Sequence, residues 1–294
     1  MNQRRFEKYK KYHGFKRLCL ICGEKSKKEH KEHWATDEYF DAIKCKKCNM
    51  VFIDPSLNQD GLNAYYNDYI GNRFKQKQKF EDRKVQYEID KSFIESHINK
   101  GNILDVGCNG GFFLNALSND FNKFGIEIDP EAVRYAKEEF GINVFEGEIG
   151  KDDFENNFFD LIIFRGVIEH LLDPKLALDR SQSLLKKGGL LYFCATPNLD
   201  SFCADIYREK WKLFHPIEHI NIFSVKTLHT LMGADKFSII DERYDYLNTP
   251  YENQEDDYKK LTEDILLKDR GKWSEVEKSP PFWGNMMSVI FGKK

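Results

Sequence analysis

No stretch of this 294-residue sequence reaches the ~18 consecutive apolar residues that a membrane-spanning helix needs, and its longest apolar runs are strand-sized pieces such as LIIF and MMSVIF. Nor does an apolar segment follow the first basic residues, as a secretory leader requires, so a cytoplasmic protein with no membrane partner is expected. Internal repeats and low-complexity blocks are absent as well, which excludes solenoid and fibrous classes. A large net charge is also missing: 45 basic and 48 acidic residues leave −3. What is present is a globular balance, 41% hydrophobic with 24 Phe and 14 Tyr, too aromatic for a disordered chain. The small net charge hides a basic start, with eleven Lys or Arg against three Glu within residues 1–31.

Seven cysteines in a reducing compartment favour metal ligation over disulfides wherever spacing supports it. Two CxxC knuckles, Cys19 with Cys22 and Cys45 with Cys48, give four thiolates for a tetrahedral Zn²⁺ site. Four protein ligands leave no position for substrate, so the site reads as structural, with His30 and His33 as alternative ligands inside the spacer. Downstream, Leu57, Leu62, Tyr65, Tyr66 and Tyr69 recur at helical intervals, and Tyr66 and Tyr69 share one face. A second helical pattern runs through Phe80, Tyr87, Ile94 and Ile98. The expected division is a zinc-binding module with a substrate-side helical segment over 1–75 and a larger domain over 76–294.

From Asn102 onward short apolar strands alternate with capped helical segments: NILDVG, FGIEID, INVFEG, FDLIIF and GLLYFCA are separated by FFLNALSND, PEAVRYAKEEF and DPKLALDRSQSLLKKG. This pattern predicts an α/β fold, a parallel sheet covered by helices, with ligands over the carboxyl ends of its strands. FSIIDERYDY and MMSVIFGKK read as a closing antiparallel pair, and residues 246–283 between them as a polar insert able to act as a lid.

The stretch ILDVGCNGGFFLNAL carries Asp105, Gly107, Asn109, Gly110 and Gly111 at a strand-to-helix turn. A pyrophosphate-binding turn needs glycines and a helix N-terminus free of opposing charge. Here a carboxylate precedes the glycines and suits a cation instead. S-Adenosylmethionine carries a sulfonium and an ammonium, and Glu127, one strand later in FGIEID, is placed to accept from its ribose hydroxyls.

Together with FFDLIIFRGVIEHLLDP and LLKKGGLLYFCATPN, these segments resemble the class I S-adenosylmethionine-dependent methyltransferases over roughly residues 98–294. The resemblance implies a Rossmann-like seven-stranded sheet with its last strand antiparallel, behind the small zinc-binding module. It also implies that Asp105, Gly107, Asn109 and Gly111 wrap the methionine portion and that Ile128 packs on the adenine. By the same resemblance, Glu148 would meet the adenine amino group, Ile149 would lie beside the ring, and Arg165 would face the cofactor. Asn109 stands where glycine is commoner, and Glu148 where aspartate is.

Methyl transfer to a hydroxyl or an acidic carbon needs donor and acceptor aligned and a proton removed, a task for a base of near-neutral pKa such as histidine. His170 after the fourth strand and His219 after the fifth lie at the expected active edge, with Glu218 beside the latter and His215 nearby. The arrangement resembles the sugar C-methyltransferases of deoxysugar and surface-polysaccharide pathways. That likeness implies His219 as base, supported by Tyr66, Tyr69, Glu218 and His170, and a sugar or nucleotide-linked sugar as substrate. Gly166 replaces that branch's usual asparagine, and the chain ends at the last core strand, where the branch continues into a large domain. O-methylation of a sugar hydroxyl therefore stands beside C-methylation. The basic start and zinc module raise an RNA-binding alternative, but the net charge and RGVIEH in place of an Asn-Pro-Pro-Tyr run count against nucleic acid.

Overall fold

The computed structural model describes residues 6–23, 30–73 and 83–294. The N-terminal part contributes β1 (His13–Phe15), β2 (Lys31–Thr36), β3 (Asp41–Cys45), β4 (Val51–Ile53), β5 (Ser56–Leu57) and helix α1 (Gln59–Arg73). The expected tyrosine-bearing helix is therefore present. Helix α2 (Lys84–Glu95) carries Tyr87 and Ile94 of the second pattern, whereas Phe80 lies outside the described residues.

Seven further strands form one sheet: β6 (Gly101–Val106), β7 (Phe121–Glu127), β8 (Asn143–Glu146), β9 (Phe159–Arg165), β10 (Leu185–Pro197), β12 (Phe237–Arg243) and β13 (Met286–Lys293). Their order is β12-β13-β10-β9-β6-β7-β8, and β13 runs antiparallel to both neighbours. The helices between them are α3 (Phe112–Ala116), α4 (Pro130–Phe140) and α5 (Pro174–Leu184), then α6 (Phe202–Tyr207), α7 (Val225–Met232) and α8 (Gln254–Asp269). This is the parallel sheet with a closing antiparallel pair that the alternation predicted, in the seven-stranded Rossmann-like arrangement that the methyltransferase resemblance implied.

Local chemistry fixes the element ends. Asp129 accepts from the Glu131 N–H at 3.0 Å with Pro130 in the first turn of α4, and Gly141 closes that helix at φ +65°. The expected helix through LLKKG stops earlier: β10 already begins at Leu185, paired with Phe159, and slips register before Leu190. Gly188, at φ +76°, absorbs the irregularity.

A four-stranded sheet of order β11-β4-β3-β2 joins the two halves of the sequence, because β11 (Asn221–Ile222) pairs antiparallel with β4. Arg17 reinforces the junction from a fully buried position. Its backbone N–H donates to Asp54 Oδ1 at 2.9 Å, and its guanidinium donates to the Ile220 carbonyl at 2.6 Å and Asn221 Oδ1 at 2.7 Å. Burial lowers its pKa to about 10 against the opposing pull of Asp54. The insert over 246–283 is ordered around α8, whose Leu261 packs with Val276, Tyr207 and Trp211 in a second apolar core. Among the described residues no helix is long and apolar enough to cross a membrane.

Candidate active site

A cavity of about 330 Å³ opens over the carboxyl ends of β6 and β9, where parallel sheets place ligands. The turn after β6 forms its floor. Gly107 (φ +75°) and Gly111 (φ +74°) both hold left-handed backbone, and a Cβ at Gly107 would lie 2.7 Å from Val167 Cγ2. Asn109 also sits at φ +51°, a conformation asparagine tolerates, and its Oδ1 accepts from the Gly110 N–H at 2.7 Å. Its side chain thus does locally what a glycine would do by having none.

Asp105, 2% exposed, lines this cavity, and its Oδ1 is buried with no hydrogen-bond partner among the described residues. Burial pushes its pKa up to about 8, Arg165 pulls it down and Glu127 adds to the rise. A buried carboxylate oxygen without a partner is costly, and a ligand cation would relieve it. The ammonium and sulfonium of the expected S-adenosylmethionine fit that need.

Glu127 ends β7 and is already engaged: Oε2 accepts from the Asn109 N–H at 2.8 Å, and Oε1 from Ile128 at 2.7 Å and Asp129 at 3.0 Å. Burial raises its pKa while those three N–H groups oppose the rise. With about four lone-pair sites on a carboxylate, one remains for a ribose hydroxyl. Ile128 is 46% exposed, as an unstacked platform would be, and Ile149 is buried at 8%. Glu148 is exposed and pairs with Lys151 at 3.0 Å. Glu127, Ile128, Glu148 and Ile149 lie outside the enclosed cavity, which Asp105, Gly107, Asn109 and Arg165 line.

Arg165 is held by residues the sequence did not single out. Its Nε donates to Asp90 Oδ2 at 3.1 Å, and its guanidinium lies 4.8 Å from the Tyr87 ring and 5.4 Å from Phe113. Asp90 Oδ1 also accepts from Arg243 at 2.9 Å and the Tyr192 hydroxyl at 3.0 Å. The only sequence signal for Asp90 is an acidic residue on the otherwise apolar face of α2.

The opposite wall brings His170 and His219 together, with ring centroids 5.0 Å apart. His170 ends a single 3₁₀ turn, Ile168–His170, and its Nδ1 lies 3.0 Å from the Glu218 carbonyl. His219 Nδ1 lies 2.8 Å from the Leu213 carbonyl. Burial lowers the His219 pKa to about 4, against the upward pull of the Leu213 hydrogen bond and Glu218. The Glu218 carboxylate, expected to orient His219, instead accepts from the Tyr65 hydroxyl at 3.0 Å. Tyr66 faces His170 at 6.1 Å between centroids, and the side chain of Tyr69 lies outside the described residues. Asn221 clips the two histidine loops together, donating to the Leu171 carbonyl at 2.7 Å.

Away from the cavity, Cys19, Cys22, Cys45 and Cys48 converge with all four sulfurs within 4.8 Å of one another, Cys19 to Cys48 at 3.2 Å and Cys22 to Cys45 at 3.6 Å. Four thiols at this spacing suit a tetrahedral ion with ~2.3 Å bonds. His33 is turned toward Asp41 at 3.9 Å.

A family model described as a methyltransferase domain matches residues 79–242. The chain is 26% identical to malonyl-[acyl-carrier protein] O-methyltransferase 2 of Ilyobacter polytropus over 65% of this chain and 73% of that protein. It is 31% identical to a ubiquinone biosynthesis O-methyltransferase of Actinobacillus pleuropneumoniae over 31% of this chain and 44% of that one. Among solved structures, a SAM-dependent methyltransferase from Thermotoga maritima matches with a TM-score of 0.54 at 17% identity, covering 79% of this chain and 99% of that chain, a likeness of fold.

Proposed function

The chain belongs to the methyltransferase-domain family and is an S-adenosylmethionine-dependent methyltransferase; from that premise we propose that it methylates a sugar or nucleotide-linked sugar seated between Asp105 and the His170–His219 pair. The observation that carries the reading is that one cavity holds, on its floor, a buried carboxylate oxygen without a partner among the described residues and, on its wall, two imidazoles in contact. S-Adenosylmethionine, when bound, supplies a methyl carbon made electrophilic by its sulfonium. Asp105 receives the donor's positive charge, the glycine turn brings backbone close to it, and Arg165 borders the same space.

His219 takes the acceptor proton. With Nδ1–H donated to the Leu213 carbonyl, Nε2 keeps its lone pair; burial, which lowers the pKa to about 4, keeps the ring neutral at physiological pH but leaves it a weaker base than the near-neutral one expected from the sequence. His170 and Tyr66 line the acceptor side, and Glu218 acts through its carbonyl on His170 and its carboxylate on Tyr65. The sugar assignment rests on the combination of cysteine module, tyrosine helix and Glu-His pair. The cysteines hold a structural Zn²⁺ and residues 1–75 form its module, while the insert over 246–283 covers the acceptor.

Mass spectrometry of methyl transfer to a panel of keto and hydroxyl nucleotide-sugars tests this directly, with deuterium exchange followed at carbon. Transfer to at least one is expected, and exchange without donor marks C-methylation. Failure across the panel with intact S-adenosylhomocysteine binding removes the sugar.

A further inference from the structure

We infer that Glu169, His170 and His219 form a divalent-cation site on the acceptor wall of the cavity, an inference that rests on the reading of this wall as the place where the acceptor is methylated. Each of the three offers one ligand atom, and the three atoms lie within 4.8 Å of one another. Two imidazoles and one carboxylate are a donor set for a divalent transition ion, and three protein ligands leave positions open for substrate oxygen.

Proximity alone would be weak, but the surroundings of the rings supply an independent argument. Metal-binding histidines characteristically donate their second ring N–H to a carbonyl or carboxylate, which fixes the tautomer and the ring direction. Both rings here do so, His170 Nδ1 toward the Glu218 carbonyl at 3.0 Å and His219 Nδ1 toward the Leu213 carbonyl at 2.8 Å. Nε2 is thereby the ligating nitrogen on each, and His170 Nε2 already lies 3.8 Å from Glu169 Oε1. Glu169 is 1% exposed, and near its other oxygen stands the Thr196 hydroxyl at 3.5 Å. Among the described side chains the His170 ring, when protonated, could compensate so buried a carboxyl, and an ion shared with the neutral ring would do the same.

The ligands come from two loops that the fold clamps together through Asn221 and Arg17, so their separation is set by the scaffold. Ligands ~2.1 Å from one ion stand roughly 3 to 3.5 Å apart, so atoms that lie within 4.8 Å of one another need only a small contraction to capture it. An acceptor hydroxyl bound at an open position becomes more acidic. Its O–H bond breaks with the proton going to solvent water, and the oxygen pair forms the O–C bond as the S–C bond of the donor breaks. Ion and proton compete for the His219 Nε2 pair: without the ion the ring is the base, and with it the ion activates the acceptor.

The test is Mn²⁺ binding to the zinc-replete full chain, followed by electron paramagnetic resonance, because Mn²⁺ avoids the thiolate site. One bound Mn²⁺ is expected in the wild type, with at least 10-fold weaker binding in Glu169→Gln and His170→Asn. Retained S-adenosylhomocysteine binding shows that the variants are folded. Absence of Mn²⁺ binding in the wild type, or unchanged binding in both folded variants, overturns the site. Full methyl transfer in chelator, with Mn²⁺ giving no stimulation, overturns the ion's catalytic part and leaves His219 as base. Absence of transfer to any sugar alongside normal Mn²⁺ binding sinks the acceptor reading alone.

Discussion

At Asp105 binding and stability pull in opposite directions. Its carboxyl titrates near 8 in the fold against an ordinary value of 3.8. The folded state therefore holds a proton that the unfolded state releases, and the stability this gives is complete below about pH 4 and is lost as pH rises through 8. Asp105→Asn should melt higher than the wild type, by an increment that grows from pH 4 to 8 and then levels off at roughly 2 to 5 kcal/mol. Differential scanning fluorimetry across pH reads this, and calorimetry should show S-adenosylhomocysteine affinity falling at least ~10-fold. His219→Ala should lower transfer by ~100-fold or more while leaving that affinity intact, and full activity would remove it as the base. At this scale the sequence was informative where a residue answers to its neighbours in the chain. The Asp105-to-Gly111 turn is such a case. It was silent where partners come from afar: Asp90 under Arg165, and Tyr65 in place of a direct Glu218–His219 contact, depend on packing between α1, α2 and the loops.

The four-stranded sheet links the cysteine cluster to His219, since β3 carries Cys45, β4 follows Cys48, and β11 begins two residues after His219. Removing the proposed Zn²⁺ should therefore reach the wall that carries His219. Chelation, or Cys45→Ser, is expected to lower the melting temperature and reduce acceptor turnover more than cofactor affinity, and zinc below about half an ion per chain by elemental analysis would sink the assignment. Arg17→Ala should destabilise by about 3 kcal/mol, because it strands the Ile220 carbonyl and Asn221 in the interior, as urea unfolding would read. The seven sheet strands were readable because each is long enough to show its own pattern. β11, two residues long, carries no periodicity and exists only through β4.

Across the whole molecule, the alternation of strands and helices determined the sheet and the position of the cavity over it. The insert's polar composition hid its order, because its buried Asp257 and Asp264 accept from the hydroxyls of Tyr246 at 2.6 Å and Tyr207 at 2.7 Å. Thr249 and Tyr251 from this segment line the cavity. Tyr251→Ala should raise the acceptor KM about 3- to 10-fold with little change in kcat, and steady-state kinetics would show an equal fall in kcat and kcat/KM if the side chain served chemistry instead.

The pairing of β4 with β11 also orders events in time. A chain emerging from the ribosome presents the cysteine knuckles and β2 to β4 early, so those local contacts can close while most of the methyltransferase sheet is still unmade. The open edge of β4 must then wait for residues 221–222, and Arg17 for the same loop. Until they arrive the nascent module exposes an unpaired strand, a transient opportunity for aggregation that ends only when the wall carrying His219 is laid down beside it.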